Sequence, residues 1–216
     1  MSLQPRAALR HFTQVDPAMA ALCRRVGPCT IATETVREPY EALVRAIAHQ
    51  QLHGRAAALI LGRFTALTPE GFPQPAQVLA MNETLLRGCG FSGGKIAAIH
   101  DIARHALAGG VPTRRQAARL SDAALIERLT AIRGVGRWTV EMLLMFTLGR
   151  PDVLPVDDFG VREGYRKLHA LPAQPKPKAL AIAGEIWSPH RTIAAWYLWR
   201  AAEEGKAKPA TSEVTG

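Results

Sequence analysis

Between Leu125 and Arg162 the chain reads LIERLTAIRGVGRWTVEMLLMFTLGRPDVLPVDDFGVR. Leu125, Leu129 and Ile132 recur at helical spacing before the turn Gly134-Val135-Gly136, and Val140, Leu143, Leu144, Thr147 and Leu148 do so after it. The stretch therefore predicts two helices joined by a tight hairpin over 125–148, then a loop that ends in Asp157 and Asp158. Two glycines this close permit positive φ and a close backbone approach. They also leave the first N–H groups of the second helix pointing outward, a terminus suited to a phosphate.

The rest of the chain keeps the helical period. Asp16-Pro17 is a cap followed by proline, and Met19, Leu22, Cys23 and Val26 trace a stripe that stops at Gly27-Pro28. Met1 to Gln14 is weakly patterned and is expected to be partly mobile. Cys29 to Arg37 is β-branched but has no second strand to pair with, so it reads as loop. From Pro39 to Leu67 the apolar period runs through a polar cluster, His49-Gln50-Gln51-Leu52-His53-Gly54, where Gly54 predicts a break between two helices. Short helices are expected at Gln77 to Met81 and Glu83 to Cys89, and a longer one after Ser92-Gly93-Gly94-Lys95. That last run lacks the remainder of a nucleotide-binding phosphate loop. Arg114, Arg115 and Arg119 form a basic patch before Ser121, the cap of the first hairpin helix. Further helices are expected at Phe159 to Leu171, Ala179 to Trp187 and His190 to Glu203, and the tail 205–216 is expected to be disordered. The reading is all-α, with roughly nine or ten helices.

A formal net charge of +9 over 216 residues points to a polyanionic partner, because Lys and Arg gain affinity for phosphates by counterion release. Cys23, Cys29 and Cys89 are odd in number and lack metal-ligand spacing, which fits reduced thiols inside a cell. No run is long and apolar enough to span a bilayer, and the start lacks a signal-peptide core. The expected location is cytoplasmic, at the nucleoid.

For adjacent carboxylates at a loop-to-helix junction, the ordinary role is to start the helix. If that helix begins near Phe159, its apolar positions Val161, Tyr165 and Leu168 share the direction of Asp158, while Asp157 is turned away by about a third of a circle. Asp158 is thus the candidate for chemistry and Asp157 for the helix start. Trp196 is assigned to core. Trp138 stands on the first turn after the hairpin, where an indole gains little by burial, and the position of Trp199 is left open. The histidines show no metal spacing, and His49 and His53 have no third ligand near them in sequence.

LTAIRGVGRWT followed by LPVDDFGVR resembles the helix-hairpin-helix DNA glycosylase superfamily, and the Trp after GVGR makes the chain most similar to its alkylpurine branch, the DNA-3-methyladenine glycosylase II type. The resemblance runs over about residues 15–204. It implies two helical lobes with an active-site cleft between them, one lobe of about 40–170 holding the hairpin and a catalytic loop at 152–158, the other of about 15–39 with 171–204. It also implies that Asp158 is the catalytic carboxylate, that Trp138, Met142 and Trp199 line the base pocket, and that Arg133, Gly134, Val135, Gly136 and Arg137 bind DNA. Gln51 or Leu52 would fill the gap left by a flipped nucleotide, and the main-chain carbonyls of Thr130, Ile132 and Val135 would hold a monovalent ion, Na+ or K+.

The expected activity is excision of alkylated purines of the 3-methyladenine and 7-methylguanine type from damaged double-stranded DNA, by a monomer. Relatives that also cut the backbone carry Lys where this chain has Trp138, so no lyase activity is expected. No cysteine follows Cys89, so no iron–sulfur cluster is expected, and the sequence reads as a minimal form without the N-terminal β domain of longer relatives. The alternatives are a glycosylase for another lesion and a non-catalytic helix-hairpin-helix DNA-binding protein.

Overall fold

Proline and short polar side chains start most helices in this protein. Pro5, Pro17, Pro39, Pro75 and Pro177 each open a helix at a position whose N–H has no intrahelical partner. Asp16 also caps the helix that Pro17 opens, and Asn82, Ser92, Thr113, Ser121 and Asp158 cap others, each accepting a backbone N–H three residues on.

A computed structural model describes residues 3–204, among which there are helices and loops but no strand. In chain order the helices are α1 (Pro5–Val15), α2 (Pro17–Val26), α3 (Pro39–His49), α4 (Gly54–Thr65), α5 (Pro75–Ala80), α6 (Glu83–Cys89), α7 (Gly93–Leu107), α8 (Arg114–Ala117), α9 (Asp122–Thr130), α10 (Arg137–Met142), α11 (Phe159–Leu168), α12 (Pro177–Ala183) and α13 (Arg191–Glu203). A π-helical segment, Leu143–Thr147, continues α10, and a 3₁₀ turn, Gly184–Trp187, continues α12. The tail 205–216, expected to be disordered, lies outside the described residues.

Several expectations change, and the α-helices among the described residues number thirteen where nine or ten were expected. The supposed mobile lead is largely α1, whose Ala8 and Phe12 lie four apart and are fully buried. The second hairpin helix widens to π geometry after Met142 instead of running on as α-helix. The helix after the aspartates stops at Leu168, and Ala170 takes a left-handed φ of 50°.

The described chain divides into two compact units, residues 32–150 and residues 3–31 with 151–204. In the first, Leu43, Val44 and Ile47 of α3, Phe64 of α4, Ile99 and Ile102 of α7, Leu125 and Leu129 of α9 and Val140 of α10 are fully buried. Burial of each such side chain contributes about 1.5–3 kcal/mol. Phe64 meets Phe72 and Phe91 edge to face.

In the second unit, residues 192–198 of α13 are buried without a break, so this helix is enclosed on all sides. Helix α11 crosses it closely, because a Cβ on Gly164 would stand 1.9 Å from the Leu198 carbonyl oxygen. The loop 152–158 belongs to this unit and not to the lobe of the hairpin, where the sequence placed it. Hydrogen bonds tie its start to α13: Asp152 accepts from the Arg191 guanidinium at 2.7 and 2.8 Å, Thr192 Oγ1 accepts the Val153 N–H at 3.0 Å, and the Pro151 carbonyl accepts the Thr192 N–H at 3.1 Å.

Candidate functional site

The hairpin is assembled within the first unit. Gly134 has φ +77°, and a Cβ there would come within 2.9 Å of Ala98 Cβ, so both conformation and space call for glycine. The turn closes by the Val135 N–H donating to the Ile132 carbonyl at 3.1 Å. Val135 is buried, and its amide is thereby removed from the expected anion-facing set. Gly134 and Gly136 are exposed, and among the described residues their amides meet no protein acceptor. The first turn of α10 adds further N–H groups without intrahelical acceptors.

The two hairpin arginines differ. Arg133 is exposed, and among the described residues no carboxylate pairs with its guanidinium. Arg137 is drawn back onto its own helix, donating from Nε to the buried carboxylate of Glu141 at 2.9 Å. Elsewhere in the unit the expected patch is reduced, because Arg114 spends its guanidinium on the carbonyls of Glu34 and Arg37.

The carbonyls named for a monovalent ion sit at the end of α9 and in the turn. Among the described residues those of Thr130 and Val135 accept no hydrogen bond, and that of Ile132 accepts only the one from Val135, which leaves each an oxygen lone pair. A hard cation takes such oxygens, so the donor set fits.

Between α3 and α4 the polar cluster forms a turn. Gln51 takes a left-handed φ of 57°, and Leu52 beside it is 39% exposed. Holding a non-glycine residue there has a cost that concentrates at functional turns. Gln50, which the sequence did not single out, donates from Nε2 to the Gly134 carbonyl at 3.1 Å and so ties this turn to the hairpin. Gln50, Gln51, Trp138 and Met142 line one cavity of about 640 Å³ with Phe146 and Thr147 of the π segment. Trp138 is 46% exposed, a large apolar surface left open beside the hairpin.

The carboxylates belong to the second unit. Asp157 is exposed, and it is Asp158 that caps α11, accepting the Val161 N–H on Oδ1 at 2.9 Å. The helix-start role expected of Asp157 thus falls to Asp158 itself. The same oxygen accepts the Trp199 indole N–H at 2.8 Å. Trp199 is half-buried and in the same unit as Asp158, whereas the cavity lined by Trp138 and Met142 is in the other. Its observed partner is the carboxylate, which it orients. The contact depends on Gly160, since a Cβ there would lie 2.7 Å from Trp199 Cδ1 and 3.2 Å from Asp158 Oδ1. Glycines at 160 and 164, four apart on one face, were the overlooked signal in FGVREG. The Tyr165 and Trp187 rings pack edge to face, and Trp187 donates to buried Asp16 at 2.9 Å.

Comparison with known proteins bears on this arrangement. The family model described as HhH-GPD superfamily base excision DNA repair protein matches residues 44–189. The chain is 49% identical over 168 residues to DNA-3-methyladenine glycosylase 1 of Schizosaccharomyces pombe, covering 77% of this chain and 74% of that one. It is 35% identical over 197 residues to the alkylbase DNA glycosidase-like protein mag2 of the same organism, covering 90% and 92%. Its fold is similar to that of the S. pombe 3-methyladenine DNA glycosylase Mag1 in complex with abasic DNA, at a TM-score of 0.81 and 43% identity, covering 94% of this chain and 100% of that one.

Proposed function

The chain belongs to the HhH-GPD superfamily of base excision DNA repair proteins, and from that premise we propose that it flips alkylated purines of the 3-methyladenine and 7-methylguanine type out of double-stranded DNA and hydrolyses their glycosidic bond. The observation that carries this reading is the Asp158 carboxylate, fixed by the Val161 amide and the Trp199 indole at the start of α11.

An alkylated purine is already cationic, so its bond to C1′ is weak and it departs with the bonding electron pair as a neutral base. Positive charge then develops on the sugar. The Asp158 carboxylate stabilises that charge and takes up the proton of the water whose oxygen bonds to C1′. Trp138 offers a π face to the displaced base, and cation–π attraction favours the charged lesion by about 0.5–2 kcal/mol over a normal purine. An indole has no amine with which to form a Schiff base, so the reaction stops at base release.

Binding to DNA rests on the exposed amides of Gly134 and Gly136 with the Arg133 side chain, contacts to phosphate that carry no sequence information. The carbonyls of Thr130, Ile132 and Val135 would hold a monovalent cation, which when bound would supply positive charge towards the phosphate backbone. Gln51, at the strained tip of its turn, or Leu52 beside it would fill the space the flipped nucleotide leaves. No described helix is long and apolar enough to cross a membrane, and we place the protein with the DNA, in the cytoplasm at the nucleoid.

The experiment is release of free base from a panel of duplexes, each with one modified base. Release of 3-methyladenine and 7-methylguanine, with strands left intact at the resulting abasic site, is the expected outcome. No release from any duplex, with duplex binding kept, would replace this reading with a non-catalytic one.

A further inference from the structure

Helix α7 touches both turns that the proposed function assigns to DNA. Lys95 donates from Nζ to the Ala48 carbonyl at 2.8 Å, at the C-terminal end of α3 where the Gln50–Leu52 turn begins. Ala98 is the residue against which Gly134 closes. Asp101 accepts the Arg133 N–H on Oδ2 at 2.8 Å, just before the hairpin glycines. Residues 95, 98 and 101 are three apart, so they form one stripe about 9 Å long.

The apolar work of α7 is done by other residues, Ile96, Ile99, Ile102 and Ala103, which are buried in the core of the unit. Lys95 and Asp101 are half-buried polar side chains, and what they bond is the backbone of the two turns. A cation at a helix C-terminus and a carboxylate on an exposed amide are each favourable locally. The Arg133 N–H holds the Asp101 carboxyl below its ordinary range, with Arg104 at 2.9 Å and His105 at 3.8 Å as its other close partners. Gln50 closes the circuit by joining the first turn to the Gly134 carbonyl.

We propose that α7 acts as a spacer that fixes the hairpin relative to the Gln51 turn, with Asp101 and Lys95 as its positioning residues, so that phosphate capture and filling of the vacated stack occur in register. This rests on the glycosylase reading. Asp101 serves the hairpin and hence duplex capture. Lys95 serves the turn and hence base extrusion, which costs a few kcal/mol for a paired base and less where the lesion is already unstacked.

The test is single-turnover excision of 7-methylguanine by the full chain over a range of duplex concentrations. Asp101→Ala is expected to raise the half-saturating concentration about tenfold and to move the saturating rate much less, with Asp101→Asn, which keeps an acceptor for the Arg133 amide, recovering most of the loss. Lys95→Met is expected to lower the saturating rate about tenfold on a paired lesion, and by about threefold or less on a lesion opposite an abasic site. Lys95→Arg, which keeps the donor, should restore the paired rate. If both variants instead moved both parameters in parallel with a loss of melting temperature, α7 would be merely structural and the proposal would fall. If the wild-type protein excised nothing, the glycosylase reading would fail first, and undamaged-duplex affinity of Asp101→Ala would still decide the hairpin half.

Discussion

The hairpin and the aspartate loop use opposite means to present a functional group. At the hairpin the exposed groups are backbone amides of Gly134 and Gly136, held by a turn whose geometry needs glycine and whose backbone is braced by Gln50 and Asp101. At the loop the group is one side chain, Asp158, oriented by an amide and by the Trp199 indole, on a helix brought close to α13 by Gly160 and Gly164. Backbone donors lend themselves to sequence-independent phosphate contact, where strength matters and placement is tolerant. A charge that must face a developing cation needs fixed orientation, because its value lies in preorganisation. Damage to the hairpin should therefore appear in affinity, and damage to the loop in rate.

The strongest way to break that comparison is Asp158→Asn. The amide keeps the size of the side chain and an oxygen for the Val161 N–H, but it loses the negative charge. Excision of 7-methylguanine measured in single turnovers should fall about 10²–10³-fold, while the affinity for an undamaged duplex stays near wild type. Excision at the wild-type rate would remove Asp158 from the chemistry.

Trp199→Phe is the next probe, because it keeps a ring against Gly160 and deletes the N–H that holds Oδ1. A hydrogen bond to a charged group is worth about 1.5–3 kcal/mol, so an excision loss of about tenfold or more is expected, again with little change in binding. A loss confined to affinity would mean that Trp199 contacts DNA and does not orient the carboxylate.

How much of this could be read in the sequence depends on how local the cause is. The helices at 17–26, 39–49 and 93–107 follow from apolar period, proline and cap residues, all within one or two turns of the chain, and the hairpin glycines announce their turn in the same way. Helix α1 was missed because its buried positions are only Ala8 and Phe12 amid exposed basic and polar residues. The π segment was missed because five residues are too few to separate its period from that of an α-helix. Asp158 was legible as the functional carboxylate candidate, yet its capping of α11 was assigned to its neighbour, although a helix that starts at Phe159 makes Asp158 itself the N-cap. Gln50, Asp101 and Trp199 act on partners 84, 32 and 41 residues away, two of them backbone atoms, and nothing in local pattern encodes such pairings. The tie of loop 152–158 to α13 was hidden for the same reason.

The smallest expected effect sharpens the hairpin side. Arg133 and Arg137 flank the same glycines and look equivalent in the sequence, but Arg137 is held by Glu141 at 2.9 Å while Arg133 is exposed and pairs with no carboxylate among the described residues. A cation already matched by a buried carboxylate adds less net charge at the phosphate than an unmatched one. Arg133→Ala should weaken duplex binding about threefold at moderate salt, equally for damaged and undamaged DNA, and reduce the salt slope of binding by about one. Arg137→Ala should change that slope by less. Binding titrations at several salt concentrations separate the two, and an equal slope change would show that the Glu141 pairing does not withdraw Arg137 from DNA. A loss seen only on damaged duplex would contradict the larger contrast, since a contact that senses the lesion belongs with the aspartate loop and not with a backbone cradle.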